Sequence, residues 1–250
     1  MLPNEDKIKI GIVGYKGRMG QELIKVAQQC NIAVITEDDK QKLFELSDIV
    51  IDFSSTDGLK ECLQEAKKTG KPLVSGSTPM SDDLYGQMLD VSKTTKICWS
   101  SNMSTGIAIV KKMSCMLGKM LSGKEYDCEI LEKHHNQKID APSGTAKTIG
   151  QAVADGRRIE FNKTAIFGRT PQSGKRQINE IGFSSVRGGN IFGEHDVMFI
   201  GQDDEITISH KAFNRRLFAV GAFNCALKLL EKKNNGFYSV EDLLFDTDIG

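Results

Sequence analysis

The sequence predicts an α/β protein in which a doubly wound parallel sheet is joined to a second α+β domain with a mixed or antiparallel sheet. Two patterns lead to this fold class. In the first hundred residues, short apolar runs alternate with amphipathic stretches, as in a parallel sheet covered by helices. After residue 104, several strands follow one another with few helices, which favours antiparallel or mixed pairing.

The spacing of apolar residues predicts the elements of the first half. Lys9–Val13 is rich in β-branched residues and ends at a glycine, so we expect a buried parallel strand there, and we expect Asp48–Phe53 to be the central strand. Between them, Leu23, Ile24 and Ala27 share one face of a helix. The predicted order is strand 9–13, helix 21–30, strand 32–36, helix 40–46, strand 48–53, helix 59–69, strand 72–75, helix 81–93 and strand 97–100.

The second half begins with a long helix and continues mainly in strands. The predicted order is helix 107–121, strand 126–132, helix 145–154, strands 165–167, 176–186, 196–201 and 205–212, and a final helix 216–232 followed by segment 238–245. We expect the final helix to pack back on the first domain. The domain boundaries are accordingly predicted at 1–104, completed by 217–250, and at 105–216.

The composition argues against several classes of partner. The 33 Lys and Arg residues balance the 33 Asp and Glu residues, and a net charge of zero argues against a general binder of nucleic acid or anionic membranes. No apolar run approaches the roughly 20 residues that cross a bilayer. The six cysteines form no C-x-x-C pair, which predicts reduced thiols, no metal site and a cytoplasmic location.

Three glycines follow the first predicted strand. Gly14, Gly17 and Gly20 form a G-x-x-G-x-x-G pattern that opens a helix. The first glycine permits a tight turn, the second lets the backbone approach a pyrophosphate, and the third allows close packing of helix on strand. A tight turn without a ligand is the alternative. The position at the first strand of an alternating half favours a Rossmann-like dinucleotide site.

Glu37 ends the second predicted strand, about 20 residues after the glycine turn. An acid at this place can bind the ribose hydroxyls of the adenosine and would repel the 2′-phosphate of NADPH. Lys16 and Arg18 on the turn could instead pair with that phosphate. The choice between NADH and NADPH therefore stays open, and a solvated loop acid is the other interpretation of Glu37.

Two later strand ends are also candidates for contact with a dinucleotide. Gly76, Ser77 and Thr78 follow one strand, and the segment 100–104 follows the next. Small residues with free amides at the carboxyl edge of a parallel sheet suit a ligand. Taken alone, each segment is more typical of an ordinary polar loop.

The densest group of chemically active residues lies between Glu132 and Ala146. His134 and His135 are adjacent, and Lys138 follows four residues after the first histidine. An imidazole that titrates near neutral pH beside a cationic lysine suits proton delivery to an anionic substrate. The segment 143–145 then begins a helix whose free amides can hold a carboxylate. A surface loop is the alternative.

The other histidines carry weaker signals. His195 lies in a glycine-rich stretch between predicted strands, and His210 ends a strand, so structural roles are expected for both. Arg187 is a candidate for a second anion contact. An H-E-x-x-H pair is absent from the sequence, which argues against zinc.

Several separated motifs resemble one family in order along the chain. They are GIVGYKGRMGQE, DIVIDFSS, VSGST, SSNMSTGI, EKHHNQKIDAPSGTA and SHKAFNRRLFAVGA. Together they resemble the 4-hydroxy-tetrahydrodipicolinate reductase (dihydrodipicolinate reductase) family, and the HHxxKxDAPSGTA stretch is close to diagnostic of it. The resemblance extends from about Lys7 to the C-terminus.

The resemblance implies a cofactor site for NADH or NADPH in the first domain. The family's nicotinamide-side loop is usually Gly-Thr-Thr and is here Gly-Ser-Thr, and a methionine replaces an aromatic residue in the loop that follows the fifth strand. The implied cofactor-binding residues are Gly14, Tyr15, Lys16, Gly17, Arg18, Met19, Glu37, Gly76, Ser77, Thr78, Ser100, Ser101, Asn102 and Met103.

The resemblance also implies the chemistry of the second domain. His134 matches the family's proton donor or acceptor and Lys138 its proton donor, while His135, Gly144 and Thr145 match substrate-binding positions. The implied reaction is reduction of 4-hydroxy-tetrahydrodipicolinate, a small dicarboxylate, in lysine and diaminopimelate biosynthesis. Family members are usually homotetramers assembled through the sheet of the second domain.

Two rival functions share the same scaffold. A protein that senses NAD(H) without turnover would need the glycine turn but has no use for the histidine and lysine group. An aldehyde or amino-acid dehydrogenase would need a catalytic cysteine or another base near the cofactor, and no cysteine lies in a suitable loop. The residues between His134 and Thr145 favour the reductase.

Overall fold

The structure, a computed structural model, describes residues 8–78 and 80–245 and divides into two compact units. One unit comprises the chain up to Thr105 and from Arg215 onward, and the other comprises Gly106–Asn214. The ends of the first predicted domain, residues 1–7 and 246–250, lie outside the described residues.

The elements alternate between strand and helix in the first unit and are mostly strands in the second. In chain order they are β1 (Lys9–Val13), α1 (Arg18–Cys30), β2 (Ala33–Ile35), α2 (Lys40–Leu46), β3 (Ile49–Asp52), α3 (Thr56–Thr69), β4 (Leu73–Ser75), α4 (Asp82–Val91), β5 (Lys96–Trp99), α5 (Thr105–Met120), β6 (Asp127–His134), α6 (Gly144–Arg157), α7 (Phe161–Thr164), β7 (Ala165–Phe167), a 3-10 turn (Pro171–Ser173), β8 (Ile181–Arg187), β9 (Gly193–Ile200), β10 (Glu205–Ala212), α8 (Arg216–Glu231), β11 (Gly236–Tyr238) and α9 (Val240–Leu244).

The first unit contains a parallel sheet in the order β2-β1-β3-β4-β5-β11. Every residue of the central strand β3 is buried, because helices cover both faces of a doubly wound sheet. Asp39, Ser55 and Ser81 begin helices α2, α3 and α4, since each side chain accepts a hydrogen bond from the amide three residues later. Because all strands of this sheet are parallel, their carboxyl ends lie at one edge.

The second unit contains a mixed sheet in the order β10-β9-β6-β8-β7. Strand β8 is parallel to β6 and β7, whereas β9 is antiparallel to β6 and β10. Alternate residues of β6 and β9 are buried, so that one face of the sheet forms a core with helix α6 through Ile130, Val197, Phe199 and Ile149. Together the two sheets confirm the predicted fold class.

Three differences from the sequence-based elements concern the second unit and the sheet edge. Strand β6 continues to His134, and His195 lies within β9, so both histidines are on strands and not in loops. Strand β8 starts at Ile181 and not at Arg176, whose guanidinium donates to the carbonyls of Cys128 and Glu180. Strand β11 was not expected, since three residues become a strand only by pairing with distant β5.

The thiols are unlinked in the structure. All six cysteines are free, and Cys62, Cys98, Cys128 and Cys225 are buried, whereas Cys30 is exposed. Within residues 8–78 and 80–245, no His, Cys, Asp and Glu side chains are grouped so that they could hold a metal ion. The same part of the chain contains no helix with the length and apolar character of a membrane span.

Candidate active site

A glycine turn joins β1 to α1 at the carboxyl edge of the parallel sheet. Gly14 has a φ of +77°, and a Cβ there would lie 2.5 Å from the carbonyl oxygen of Phe53. A Cβ on Gly20 would lie 2.3 Å from the carbonyl oxygen of Gly14, so only glycine lets α1 approach this closely. Gly17 is the N-cap of α1 and brings no capping side chain to its first amides. Backbone amides at a helix N-terminus that no side chain caps are suited to bind a pyrophosphate.

A cavity of about 310 Å³ adjoins this turn. Its lining includes four of the expected cofactor residues together with polar residues that follow β2 and β3, namely Gly14, Tyr15, Lys16, Glu37, Asp38, Lys40, Ser54, Ser55, Asp57 and Glu61. The expected residues Gly17, Arg18 and Met19 form the start of α1 beside it. The structure thus brings the glycine turn and the end of β2 to one site.

Two adjacent acids line the cavity at the end of β2. The Lys42 ammonium lies 2.7 Å from Glu37 Oε2, and this hydrogen bond holds the pKa of Glu37 below its usual range. Asp38 receives hydrogen bonds from Lys16 at 2.7 Å and from the Tyr15 hydroxyl at 3.1 Å. The hydrogen bond from Lys16 lowers the pKa of Asp38, so this end of the cavity carries two carboxylates.

A buried aspartate organises the loop after β4. Asp52 ends β3, is fully buried, and accepts hydrogen bonds from the hydroxyls of Ser75 and Ser77 at 2.8 Å each. It also accepts the amide of Ser54 at 3.0 Å. The hydroxyl of Ser77 is therefore engaged in an internal hydrogen bond to Asp52. Thr78 is exposed and Gly76 is partly exposed. Asp52 was not among the expected residues, although an acid at a strand end was a visible signal.

The loop after β5 is held by its own side chains. The Ser100 hydroxyl donates to the carbonyl of Asn102 at 2.8 Å, and the side-chain oxygen of Asn102 accepts the amide of Ser104 at 2.9 Å. Met103 is only 1% exposed, and its carbonyl lies against Gly221 of α8. Met103 is thus part of the core, while Ser101 is exposed at the same edge.

In the second unit, a carboxylate lies beside the first histidine of the pair. Glu132 is 0% exposed, and its Oε2 lies 2.5 Å from Nδ1 of His134 at the end of β6. Arg187, at the end of β8, donates from Nη1 to Oε2 at 2.8 Å and from Nη2 to Oε1 at 2.6 Å. The two strands are in parallel register, with His134 opposite Arg187, so the sheet itself places this pair.

The same carboxylate reaches the start of helix α6. The amide of Ser143 donates to Glu132 Oε1 at 3.1 Å, and the Ser143 hydroxyl caps α6 by accepting the amide of Ala146. Gly144 and Thr145, expected to bind substrate, form the first turn of that helix, where amides point outward. The Ser143 hydroxyl also lies 3.2 Å from Nε2 of His195.

Lys138 and His135 lie in the loop between β6 and α6. Lys138 is partly buried, and its ammonium donates to Asp140 Oδ1 at 2.7 Å. Asp140 in turn places its carbonyl 2.6 Å from Arg187. His135 is partly exposed beside His134. The five expected residues of this segment therefore lie at the end of β6, in the loop that follows it and in the first turn of α6.

The electrostatics of this group keep Glu132 ionised. Burial alone would raise the pKa of the Glu132 carboxyl, but hydrogen bonds from Arg187, Ser185 and His134 outweigh burial and lower the pKa to about 2. Burial lowers the pKa of His134, and the Glu132 carboxylate offsets part of that shift. Burial also lowers the pKa of His195 to about 3, so that His195 is neutral at neutral pH.

Sequence reasoning gave no role to Glu132 and expected His195 to be structural. Glu132 was visible as an acid two residues before His134, which is the spacing of one strand face. Arg187 was a weak candidate for an anion contact, and its partner is a carboxylate of the protein. His195 contacts the ring of His134 edge-on, with 5.3 Å between ring centroids.

A parallel sheet with a dinucleotide-type glycine turn and a separate sheet with acid–base groups define a nicotinamide-dependent oxidoreductase. Comparison with known proteins identifies its family. Residues 26–103 match the family description "Dihydrodipicolinate reductase, N-terminus", and residues 106–244 match "Dihydrodipicolinate reductase, C-terminus". The chain belongs to the dihydrodipicolinate reductase family.

Curated relatives match almost the whole chain. A 4-hydroxy-tetrahydrodipicolinate reductase of Campylobacter jejuni is 40% identical over 242 residues, which cover 95% of this chain and 99% of the relative. A protein of the same name from Wolbachia pipientis is 36% identical over 267 residues and is covered completely. Identity at this level over full length supports the same domain content.

Solved structures show the same fold. The dipicolinate-bound dihydrodipicolinate reductase from Paenisporosarcina sp. TG-14 has a TM-score of 0.79 with 20% identity and covers 96% of this chain and 100% of its own. The diaminopimelate dehydrogenase of C. glutamicum has a TM-score of 0.56 with 11% identity and covers 95% of this chain and 94% of its own. The two-sheet architecture is thus found in reductases and dehydrogenases.

Proposed function

We propose that His134 and Lys138 supply the proton for the reaction of this enzyme, and that the start of α6 binds the substrate. The chain is an oxidoreductase that reduces 4-hydroxy-tetrahydrodipicolinate to tetrahydrodipicolinate with NADH or NADPH, in lysine and diaminopimelate biosynthesis. The observation that carries the assignment is the grouping of an imidazole, an ammonium and an anion-binding helix start within residues 134–145.

The overall reaction replaces a hydroxyl group by hydrogen and releases water. It consumes one hydride and one proton, so the enzyme needs a group that gives a proton at the reacting centre. The nicotinamide supplies the hydride when it is bound. We assign the role of proton donor to His134 and Lys138, since an imidazolium or an ammonium can give up a proton and so neutralise the negative charge that develops.

A dicarboxylate substrate suits the start of α6. Gly144 and Thr145 lie in the first turn, where the positive end of the helix dipole favours an anion, and the amide of Gly144 already donates to one carboxylate, that of Asp140. We assign His135, the neighbour of His134 in the chain, to the binding of a second carboxylate oxygen of the substrate. The relative from Paenisporosarcina carries dipicolinate, which is a dicarboxylate, and this ligand class supports the assignment.

The cofactor is assigned to the carboxyl edge of the first unit. The glycine turn and the 310 Å³ cavity hold the pyrophosphate and the adenosine ribose, with Glu37 facing the ribose hydroxyls. The loops after β4 and β5 lie at the same edge and serve the nicotinamide. The residues assigned to the cofactor are Gly14, Tyr15, Lys16, Gly17, Arg18, Met19, Glu37, Gly76, Ser77, Thr78, Ser100, Ser101, Asn102 and Met103.

The assembly and location follow the family. We assign a cytoplasmic homotetramer built through the sheet of the second unit, with no nucleic-acid or membrane partner. The zero net charge supports the last point. The outer face of the sheet carries Met198 and Ile200, which are incompletely buried within one chain and would gain burial in such an assembly.

The experiment is a spectrophotometric assay at the nicotinamide band with NADH or NADPH in turn. Substrate is formed in situ from pyruvate and aspartate semialdehyde by the preceding synthase. Oxidation that requires both enzymes, and that falls at least about 100-fold in kcat for His134→Gln, supports the assignment. Cofactor binding without oxidation would favour the sensing protein and remove His134 and Lys138 from their roles.

A further inference from the structure

Both carboxylate oxygens of Glu132 have more than one hydrogen-bond partner. Its two oxygens accept from two guanidinium nitrogens of Arg187, from Nδ1 of His134 and from the amide of Ser143, all within 3.1 Å. The side chain is 0% exposed. A buried carboxylate is costly unless such partners surround it, so the site is built around this charge.

The contacts determine which nitrogen of His134 carries a proton in the neutral ring. An ionised carboxylate can only accept, so the hydrogen at Nδ1 points to Glu132 and Nε2 is left with its lone pair. Gly193 of β9 leaves room for Nε2, because a Cβ there would lie 3.0 Å from this atom. The imidazole is thereby turned with Nε2 away from its anchoring carboxylate.

We propose that Glu132, held by Arg187, is the positioning residue of this active site. It orients His134 so that Nε2 exchanges the proton, and through the amide of Ser143 it ties that imidazole to the helix start that binds the substrate. This inference rests on the proposed role of His134. Arg187 thus acts on an internal carboxylate and not on the substrate.

The titratable groups around His134 come from five parts of the unit. Glu132 on β6 favours the imidazolium, whereas Lys138 in the following loop and Arg187 on β8 disfavour it. His195 on β9 contacts the ring and is neutral, and His210 on β10 lies opposite His195. Glu132 is the anion in contact with the ring, so its removal must lower the pKa of His134.

The test compares Glu132→Gln with Glu129→Gln. Glu129 lies on the same strand and is also bound by arginines, Arg169 and Arg176, but it does not contact His134. We expect Glu132→Gln to move the limb on which kcat falls with rising pH to lower pH by about one unit or more, since an adjacent opposite charge shifts a pKa by about 1–3 units. In Glu129→Gln, kcat should fall at the same pH as in the wild-type enzyme.

A second readout does not depend on activity. In wild-type protein, nitrogen NMR of His134 is expected to show the neutral ring protonated at Nδ1, and Glu132→Gln is expected to show a mixture of tautomers. The proposal would be overturned if folded Glu132→Gln kept both the wild-type pH at which kcat falls and the wild-type tautomer of His134. If Glu132→Gln does not fold, Arg187→Lys is used in its place. The proposal would then be overturned if Arg187→Lys kept the wild-type kcat and showed His134 only in the Nδ1-protonated form.

The failure of the proposed function is distinguishable from the failure of this inference. If His134→Gln retains wild-type kcat, His134 is not the proton-exchanging group, whatever the tautomer measurement shows. The other outcome is that His134→Gln loses activity while Glu132→Gln keeps the wild-type pH dependence of kcat and the wild-type His134 tautomer. In that case His134 is still the proton-exchanging group, but Glu132 is not its positioning residue. Glu132→Asp should keep the limb near its wild-type pH while lowering kcat, because the charge stays but the side chain is shorter.

Discussion

Lys16 donates to both carboxylate oxygens of Asp38, at distances of 2.7 and 2.9 Å. The pair lies on the lining of the cavity beside the glycine turn, next to Glu37. The ammonium that could have met a 2′-phosphate is therefore already paired with an acid. With two carboxylates at this end of the cavity, we expect NADH to be preferred over NADPH.

Removing Asp38 should shift this preference. In Asp38→Ala the Lys16 ammonium loses its partner and becomes available to a phosphate, so kcat/KM for NADPH should rise relative to NADH by about three-fold or more, the scale of one exposed ion pair. The measurement is the ratio of kcat/KM for the two cofactors. Asp90→Ala, which breaks exposed pairs with Lys67 and Lys93 outside this cavity, should leave the ratio unchanged. An unchanged ratio in Asp38→Ala would remove Lys16 from cofactor selection.

Lys138→Ala should lower kcat by about 100-fold or more, the scale of a lost general acid. The ammonium lies in the loop before α6 and is paired with Asp140, so it is already held in place. Steady-state kinetics with saturating cofactor measures the effect. Lys147→Ala removes a lysine from an exposed position on α6 and serves as the matched control. Turnover near the wild-type value in Lys138→Ala would exclude this lysine as the proton donor.

The Glu132 carboxyl should make stability depend on acid pH. Its pKa falls from an ordinary 4.5 to about 2 in the folded protein, so its contribution is complete above about pH 4.5 and is lost as pH falls through 2. The contribution is on the order of 3 kcal/mol. We expect the difference in free energy of unfolding between wild type and Glu132→Gln to shrink between pH 5 and pH 2. Urea unfolding at several pH values measures it, and a difference independent of pH would contradict the assignment.

Two glycine substitutions in helices should have opposite effects. Gly20→Ala places a Cβ 2.3 Å from backbone atoms of the turn and should cost about 1–3 kcal/mol of stability, together with cofactor affinity. Gly86 lies within α4 with no atom within 4 Å of a Cβ, so Gly86→Ala should stabilise the protein by about 0.5–1 kcal/mol. Thermal unfolding with and without NADH checks both. Equal effects would show that close packing at Gly20 is unimportant.

Local patterns were sufficient for most of the first unit. Alternating apolar runs predicted β1, β3 and β4 within about one residue, because a strand buried on both faces needs continuous apolar residues. Strand β11 could not be predicted in this way. Its three residues become a strand only by pairing with β5, more than a hundred positions earlier, and such pairing leaves no local signal.

Within the second unit, adjacency in sequence showed part of the site. His134, His135, Lys138, Gly144 and Thr145 lie within twelve consecutive residues, so composition alone drew attention to them. Arg187 and His195 come from β8 and β9, and their relation to His134 depends on strand register. The expected loop location of His195 was wrong, because flanking glycines suggested a turn where the sheet continues.

The sequence by itself determined the fold class, the family and the segments that carry the chemistry, since periodicity, glycine spacing and motifs are properties of neighbouring residues. The tertiary structure decided how charges are paired. Lys16 is bound to Asp38, Ser77 to Asp52, and Arg187 to Glu132. These partners are up to 55 residues apart, and only the register of the sheets and the packing of their loops brings them within hydrogen-bonding distance.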